Sequence, residues 1–100
     1  MKSLSFPEKC YHILIKVPKG KVTTYKAIAK ALNSRAYQAV GTAMKNNPYA
    51  PIVPCHRVIN SNGDIGNFNK GQKIKIQMLK REGIEIINNN IDLDKYGFKF

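Results

Sequence analysis

The chain has 100 residues, enough for one domain around a modest core, and 43% of them are apolar, which excludes a disordered chain. No apolar run approaches the roughly 20 residues of a membrane-spanning helix, Met1 to Pro7 lacks the apolar centre of a secretory signal, and two cysteines in unlike contexts make no disulfide framework. An intracellular, reducing setting (cytoplasm, nucleoid or nucleus) is therefore expected. Seventeen Lys and Arg against six Asp and Glu give a net charge of +11. Nine of those bases and none of the acids lie between Lys9 and Gly63, the electrostatic footprint of a nucleic-acid binder.

Ser5-Phe6-Pro7 predicts a helix start, with Pro7 in the first turn where its missing N–H costs little. Phe6, Cys10, Ile13 and Leu14 recur at helical spacing, which makes Cys10 a packing residue, and Pro18-Lys19-Gly20 ends the helix. Lys21 to Thr24 reads as extended, with Thr23 or Thr24 able to cap a second helix from Tyr25 to Leu32. After the turn Asn33-Ser34-Arg35, a third helix runs from Ala36 to about Asn46 and carries Tyr37, Val40 and Met44 on one face. Two short helices and a tight turn in a basic setting form a helix-turn-helix pattern. The third helix also holds small residues, Ala39, Gly41, Thr42 and Ala43, which either let it approach another surface closely or pack inward.

The stretch Pro54-Cys55-His56-Arg57-Val58-Ile59 carries the chemistry: a thiol becomes a good nucleophile as thiolate, and a neighbouring base helps remove its proton. Asn62-Gly63 predicts a positive-φ turn between extended flanks Val58-Ile59 and Ile65, a short β-hairpin. Gly66 to Gly71 is a glycine-bounded loop. Gln72 to Glu82 reads as a helix with Ile74, Met78 and Leu79 on one face and Gly83 as its stop. The tail from Ile84 to Phe100 reads either as a docked segment or as a free one. Two Cys and two His are too scattered for a metal site.

Pro54-Cys55-His56-Arg57-Val58 resembles the active-site signature of the O6-alkylguanine-DNA alkyltransferases. Val22-Thr23-Thr24-Tyr25, Ala39-Val40-Gly41-Thr42-Ala43-Met44, Asn47-Pro48 and Arg81-Glu82-Gly83 extend the resemblance in the same order, over about Phe6 to Gly83. It implies a mainly α fold with a short β-hairpin, the winged-helix-like helix-turn-helix C-terminal domain of that family. It also implies a single-turnover methylated-DNA–protein-cysteine methyltransferase that moves an alkyl group from guanine O6 to Cys55. The third helix would enter the minor groove and the lesion would be flipped out of the stack. His56 would act as base through a water, oriented by Glu82, with Tyr25 donating to guanine N3 and rotating the 3′ phosphate. Asn47 and Arg57 would support the site. Met44, Val58, Phe68 and Asn69 would form the substrate pocket, the backbone N–H of Asn69 touching O6. Tyr25, Arg35, Gln38, Ala39, Gly41 and Thr42 would face DNA. Neither metal nor nucleotide cofactor is implied. The partner would be duplex DNA containing O6-alkylguanine, bound by a monomer, with a separate or fused repair enzyme as a further candidate partner.

Four departures stand out. The family's usual N-terminal domain is not part of the match, Gln38 stands where an intercalating Arg is usual, Phe68 replaces a Tyr, and Asn69-Lys70 replaces small residues. The alternative is a lesion-recognition module without transfer, as in the alkyltransferase-like proteins, though these commonly carry Trp in place of the cysteine. A helix-turn-helix regulator would explain charge and helices but not Pro54 to Arg57. Sequence adjacency makes a Cys-His hydrolase pairing awkward.

Overall fold

In a computed structural model, residues 3–68 and 70–100 are described. Helix α1 (Phe6–Leu14) begins with a capping box in which the Ser5 side chain accepts from the Glu8 N–H and the Glu8 carboxylate accepts from the Ser5 N–H. Cys10, Tyr11 and Leu14 turn inward from it. Strand β1 (Thr23–Thr24) runs directly into α2 (Tyr25–Ala31), and Thr24 Oγ1 accepts from the Ala27 N–H at 3.0 Å as the cap. Asn33 adopts φ 56°, which turns the chain toward α3 (Tyr37–Lys45). The helix-turn-helix pattern is therefore real: α1, α2 and α3 pack on one another around Leu14, Ile28, Ala29, Val40 and Met44.

After α3 the chain passes through a 3-10 turn, Cys55–Arg57, into β2 (Val58–Ile59). Here the structure corrects the expected hairpin. β2 pairs in parallel with β1, Thr23 opposite Val58 and Thr24 opposite Ile59. The Asn62-Gly63 turn does form, with Gly63 at φ 91° and its N–H donating to Asn60 O at 3.0 Å. Its far flank pairs elsewhere: the Ile65 N–H donates to Asn89 O, and Asp64 bridges antiparallel to Asn90. A side chain at Gly63 would sit 2.8 Å from Ile91 O, so the turn is pressed against the tail.

β2 is the seam between two apolar clusters, because successive strand residues point to opposite faces. Val58 joins the helical cluster with Cys10 and Cys55, while Ile59 joins Val22, Ile65, Leu79, Ile84 and Ile91. Helix α4 (Gln72–Arg81) covers the second cluster. Its inward residues are Leu79 and Lys75, with Ile76 half-buried; Ile74, expected inside, is 42% exposed. Tyr37 on α3 is likewise 45% exposed, whereas Val40 and Met44 are buried. The tail docks. Asp92 caps a short helix α5 (Leu93–Tyr96), Val22 N–H donates to Tyr96 O at 2.9 Å, and Phe98 N–H donates to Val22 O at 2.8 Å. Among the described residues no helix is long and apolar enough to cross a membrane.

Candidate active site

Cys55 opens the 3-10 turn and lines a cleft of about 420 Å³ together with Tyr25, Gly41, Met44, Lys45, Asn67 and Phe68. The turn is braced from the preceding loop. Asn47 Nδ2 donates to Val53 O at 2.8 Å, and Asn47 Oδ1 accepts from the Tyr49 N–H at 2.9 Å, so one amide closes both ends of residues 47–53. The Cys55 N–H then donates to Val53 O at 2.9 Å. Asparagine suits the position because its side chain offers a donor and an acceptor together.

His56, the next residue, is buried, and its Nε2 lies 2.9 Å from Glu82 Oε2. Glu82 follows the last turn of α4 as its cap residue. The same carboxylate receives Arg57 through a two-pronged contact, Nε to Oε1 at 2.9 Å and Nη2 to Oε2 at 2.7 Å. The remaining prong, Arg57 Nη1, reaches Val17 O at 2.9 Å behind α1. Burial opposes the charge on Glu82, but the Arg57 and His56 hydrogen bonds and charges outweigh it and hold the carboxyl below its ordinary range. Burial also depresses the His56 imidazolium, against the pull of Glu82. At neutral pH this pairs a neutral imidazole with an ionised carboxylate. The carboxylate can only accept, so Nε2 carries the proton and Nδ1 is left as the basic nitrogen.

Tyr25, at the head of α2, lines the cleft with its hydroxyl kept protonated: burial raises its pKa, and a negative charge at Cys55 raises it further. It is therefore a donor. Met44 and Phe68 are apolar walls. Val58 is not; it is fully buried beneath the site and contributes its backbone instead. Asn69 lies outside the described residues. On α3, Gln38, Ala39 and Thr42 are exposed, as is Arg35 in the turn before it. The small residues thus divide: Ala43 packs inward, while Ala39, Gly41 and Thr42 leave one helix face open, and a Cβ at Gly41 would meet nothing within 4 Å. Among the described residues no cluster of three His, Cys, Asp or Glu could hold a metal ion.

The sequence marked Lys45 only as one of nine bases, Asn67 only as part of the Gly66 to Gly71 loop, and Lys75 not at all. Lys45 and Asn67 line the cleft. Lys75 is fully buried beneath it, its Nζ donating to Val58 O at 2.7 Å and Asn67 O at 3.3 Å. A lysine in a helix reads as a surface residue; the one available hint was its i, i+4 spacing to Leu79.

The exposed face of α3 thus adjoins a cleft lined by the Cys55 thiol, and the His56–Glu82 pair begins at the next residue. The chain belongs to the family described as "6-O-methylguanine DNA methyltransferase, DNA binding domain", whose pattern matches residues 5–84. It is 38% identical over 99 residues to a bifunctional methyltransferase/endonuclease of Picrophilus torridus, covering 98% of this chain and 33% of that protein. Over its full length it superposes on S. pombe Atl1, solved with damaged DNA containing O6-carboxymethylguanine, with a TM-score of 0.86, 33% identity and 100% of both chains covered. The O6-methylguanine-DNA methyltransferase of Pyrococcus kodakaraensis matches with a TM-score of 0.74 and 45% identity over 81% of this chain and 47% of that one. The chain spans from about a third to just over half the length of the curated relatives it matches.

Proposed function

We propose that this domain repairs O6-alkylguanine in duplex DNA by irreversible transfer of the alkyl group to Cys55. The observation that carries this reading is the set Cys55, His56, Glu82 and Arg57. In this reading Cys55, which lines the cleft, is the nucleophile, the adjacent His56 a neutral base, Glu82 its orienting carboxylate and Arg57 a clamp on that carboxylate. The basic surface and the open face of α3 draw in the duplex, with Arg35, Gln38, Ala39, Gly41 and Thr42 toward the minor groove. The alkylated base swings out into the cleft between Met44 and Phe68. The Cys55 proton passes through a bridging water to His56 Nδ1, while Nε2–H stays on Glu82. Sγ then bonds to the alkyl carbon as the carbon–O6 bond breaks, and that electron pair stays with the guanine. Guanine takes up one proton, so the proton lost by the thiol balances the one gained by the base. The Tyr25 hydroxyl donates to N3 and stabilises the charge developing there.

The full-length superposition on Atl1 supports a second reading, recognition of the lesion without transfer. The two separate cleanly on a labelled duplex with one O6-methylguanine. Transfer restores ordinary guanine with the wild-type protein and leaves the lesion intact with Cys55→Ala, while both proteins bind. Binding by both with the lesion left untouched by both would assign the protein to recognition.

A further inference from the structure

Two polar side chains in the wall of the cleft, Lys45 and Asn67, have no part in the transfer of a methyl group. A methyl group is small, apolar and uncharged, and in the proposed mechanism Met44, Phe68, Cys55 and Tyr25 meet what its transfer requires. Lys45 is the last residue of α3, where a positive charge suits the helix dipole. The dipole accounts for a lysine in that turn. It does not account for a lysine in the wall of the cleft.

A long side chain on a helix leans back over the preceding turn, toward the residue four positions earlier. For Lys45 that residue is Gly41, which also lines the cleft. A Cβ at Gly41 would meet nothing within 4 Å, so the turn beneath the lysine is open. Asn67, exposed on the loop after β2, brings an amide that can donate as well. Among the described residues none that lines the cleft is acidic, so before Cys55 ionises the formal charge on its wall is positive. A thiolate and an anionic adduct in one cleft repel each other, and the repulsion grows as they close. A cation on the same wall offsets it. Building on the transfer reading, we infer that Lys45, with Asn67 beside it, determines specificity: it fits the cleft to O6 adducts that end in a carboxylate, of which carboxymethyl is the smallest.

The bond changes are those of methyl transfer. Sγ bonds to the CH2 carbon, the carbon–O6 bond breaks with its electron pair left on guanine, and guanine takes up the proton that the thiol lost. The carboxylate stays ionised throughout and ends on Cys55 as S-carboxymethylcysteine.

The test uses the full chain and two duplexes of one sequence, one with O6-carboxymethylguanine and one with O6-methylguanine, in single-turnover transfer at saturating protein. The readout is the ratio of the two rates. Lys45→Met keeps the stem and removes the charge; it is expected to lower the carboxymethyl-to-methyl ratio about two- to fivefold, the scale of a solvent-exposed ion pair. Lys45→Arg, which keeps the charge, is expected to hold the ratio, and Lys45→Glu to lower it further than Met does. An unchanged ratio in folded Lys45→Met would overturn the inference; if both rates fall together, the lysine meets a DNA phosphate instead. A second measurement needs no DNA. Iodoacetate and iodoacetamide alkylate the same thiol and differ by a carboxylate, so their rate ratio at Cys55, read by peptide mass, reports the charge of the cleft wall. Lys45→Met is expected to lower the iodoacetate-to-iodoacetamide ratio by a similar factor. A lowered reagent ratio in a protein that transfers neither group from DNA would count against the transfer reading alone. Intact methyl transfer with both ratios unmoved would count against Lys45 alone.

Discussion

The two thiols of this domain share one apolar cluster and nearly the same burial, yet their surroundings differ in kind. Cys10 is fully buried and Cys55 is 7% exposed. Cys10 sits mid-helix on the inward stripe of α1, where burial raises its pKa and keeps it a neutral packing group. Cys55 opens a 3-10 turn, lines a cleft and is followed by His56 and Arg57, which both bond Glu82. Burial therefore does not mark a reactive cysteine. Under the proposed transfer, what distinguishes Cys55 is its place on the wall of the cleft.

Substitutions at the two cysteines break the comparison most sharply. Cys55→Ala should abolish methyl transfer entirely while duplex binding persists. Cys10→Ala should leave transfer intact and cost about 1–2 kcal/mol of stability from the core gap, read by chemical denaturation. A transfer defect in folded Cys10→Ala would erase the distinction.

Next in size is Glu82→Gln. Removing the orienting carboxylate should slow transfer on the order of a hundredfold, measured by single-turnover kinetics across pH. The same residue sets an acid limit. Its folded pKa lies below the ordinary 4.5, so its contribution to stability is present above that value and fades as pH falls through the folded pKa. Acid titrations of unfolding should show a shallower slope below about pH 4.5 in Glu82→Gln than in the wild type. Equal slopes would remove the carboxylate from the acid response.

The smallest expected effect lies farthest from the thiol. Gln38→Arg on the open face of α3 should tighten duplex binding about three- to tenfold and steepen its salt dependence by about one unit. It should help single-strand binding less. Equal gains on both substrates would show that Gln38 does not meet the duplex interior.

Much of this domain was legible in its sequence because the information was local. The helix start at Ser5-Phe6-Pro7, a cap at Thr23 or Thr24 and the Asn62-Gly63 turn each need only a few neighbouring residues, and each formed, with Thr24 as the cap. The Pro54 to Arg57 stretch carries the resemblance on which the proposed site rests, and Cys55 does line a cleft. Long-range pairing was not legible. Nothing near Val58-Ile59 announced Thr23-Thr24 as the parallel partner, so a hairpin with Ile65 was the natural expectation. The docking of Phe98 on Val22 was equally invisible, being a backbone contact. On α4, Ile74, Ile76 and Met78 blur the helical period, so the inward face was misjudged by one residue and Lys75 was missed. A charged side chain enters a core only when tertiary carbonyls and anions await it, and no window along the chain shows those.

The most direct test of the account is the intact mass of the protein after incubation with a duplex carrying one O6-methylguanine, followed by peptide mapping. The account predicts one added methyl per molecule, located on Cys55 and absent from Cys10. An unchanged mass, with binding that still prefers the damaged duplex, would contradict transfer and leave lesion recognition as the activity of this domain.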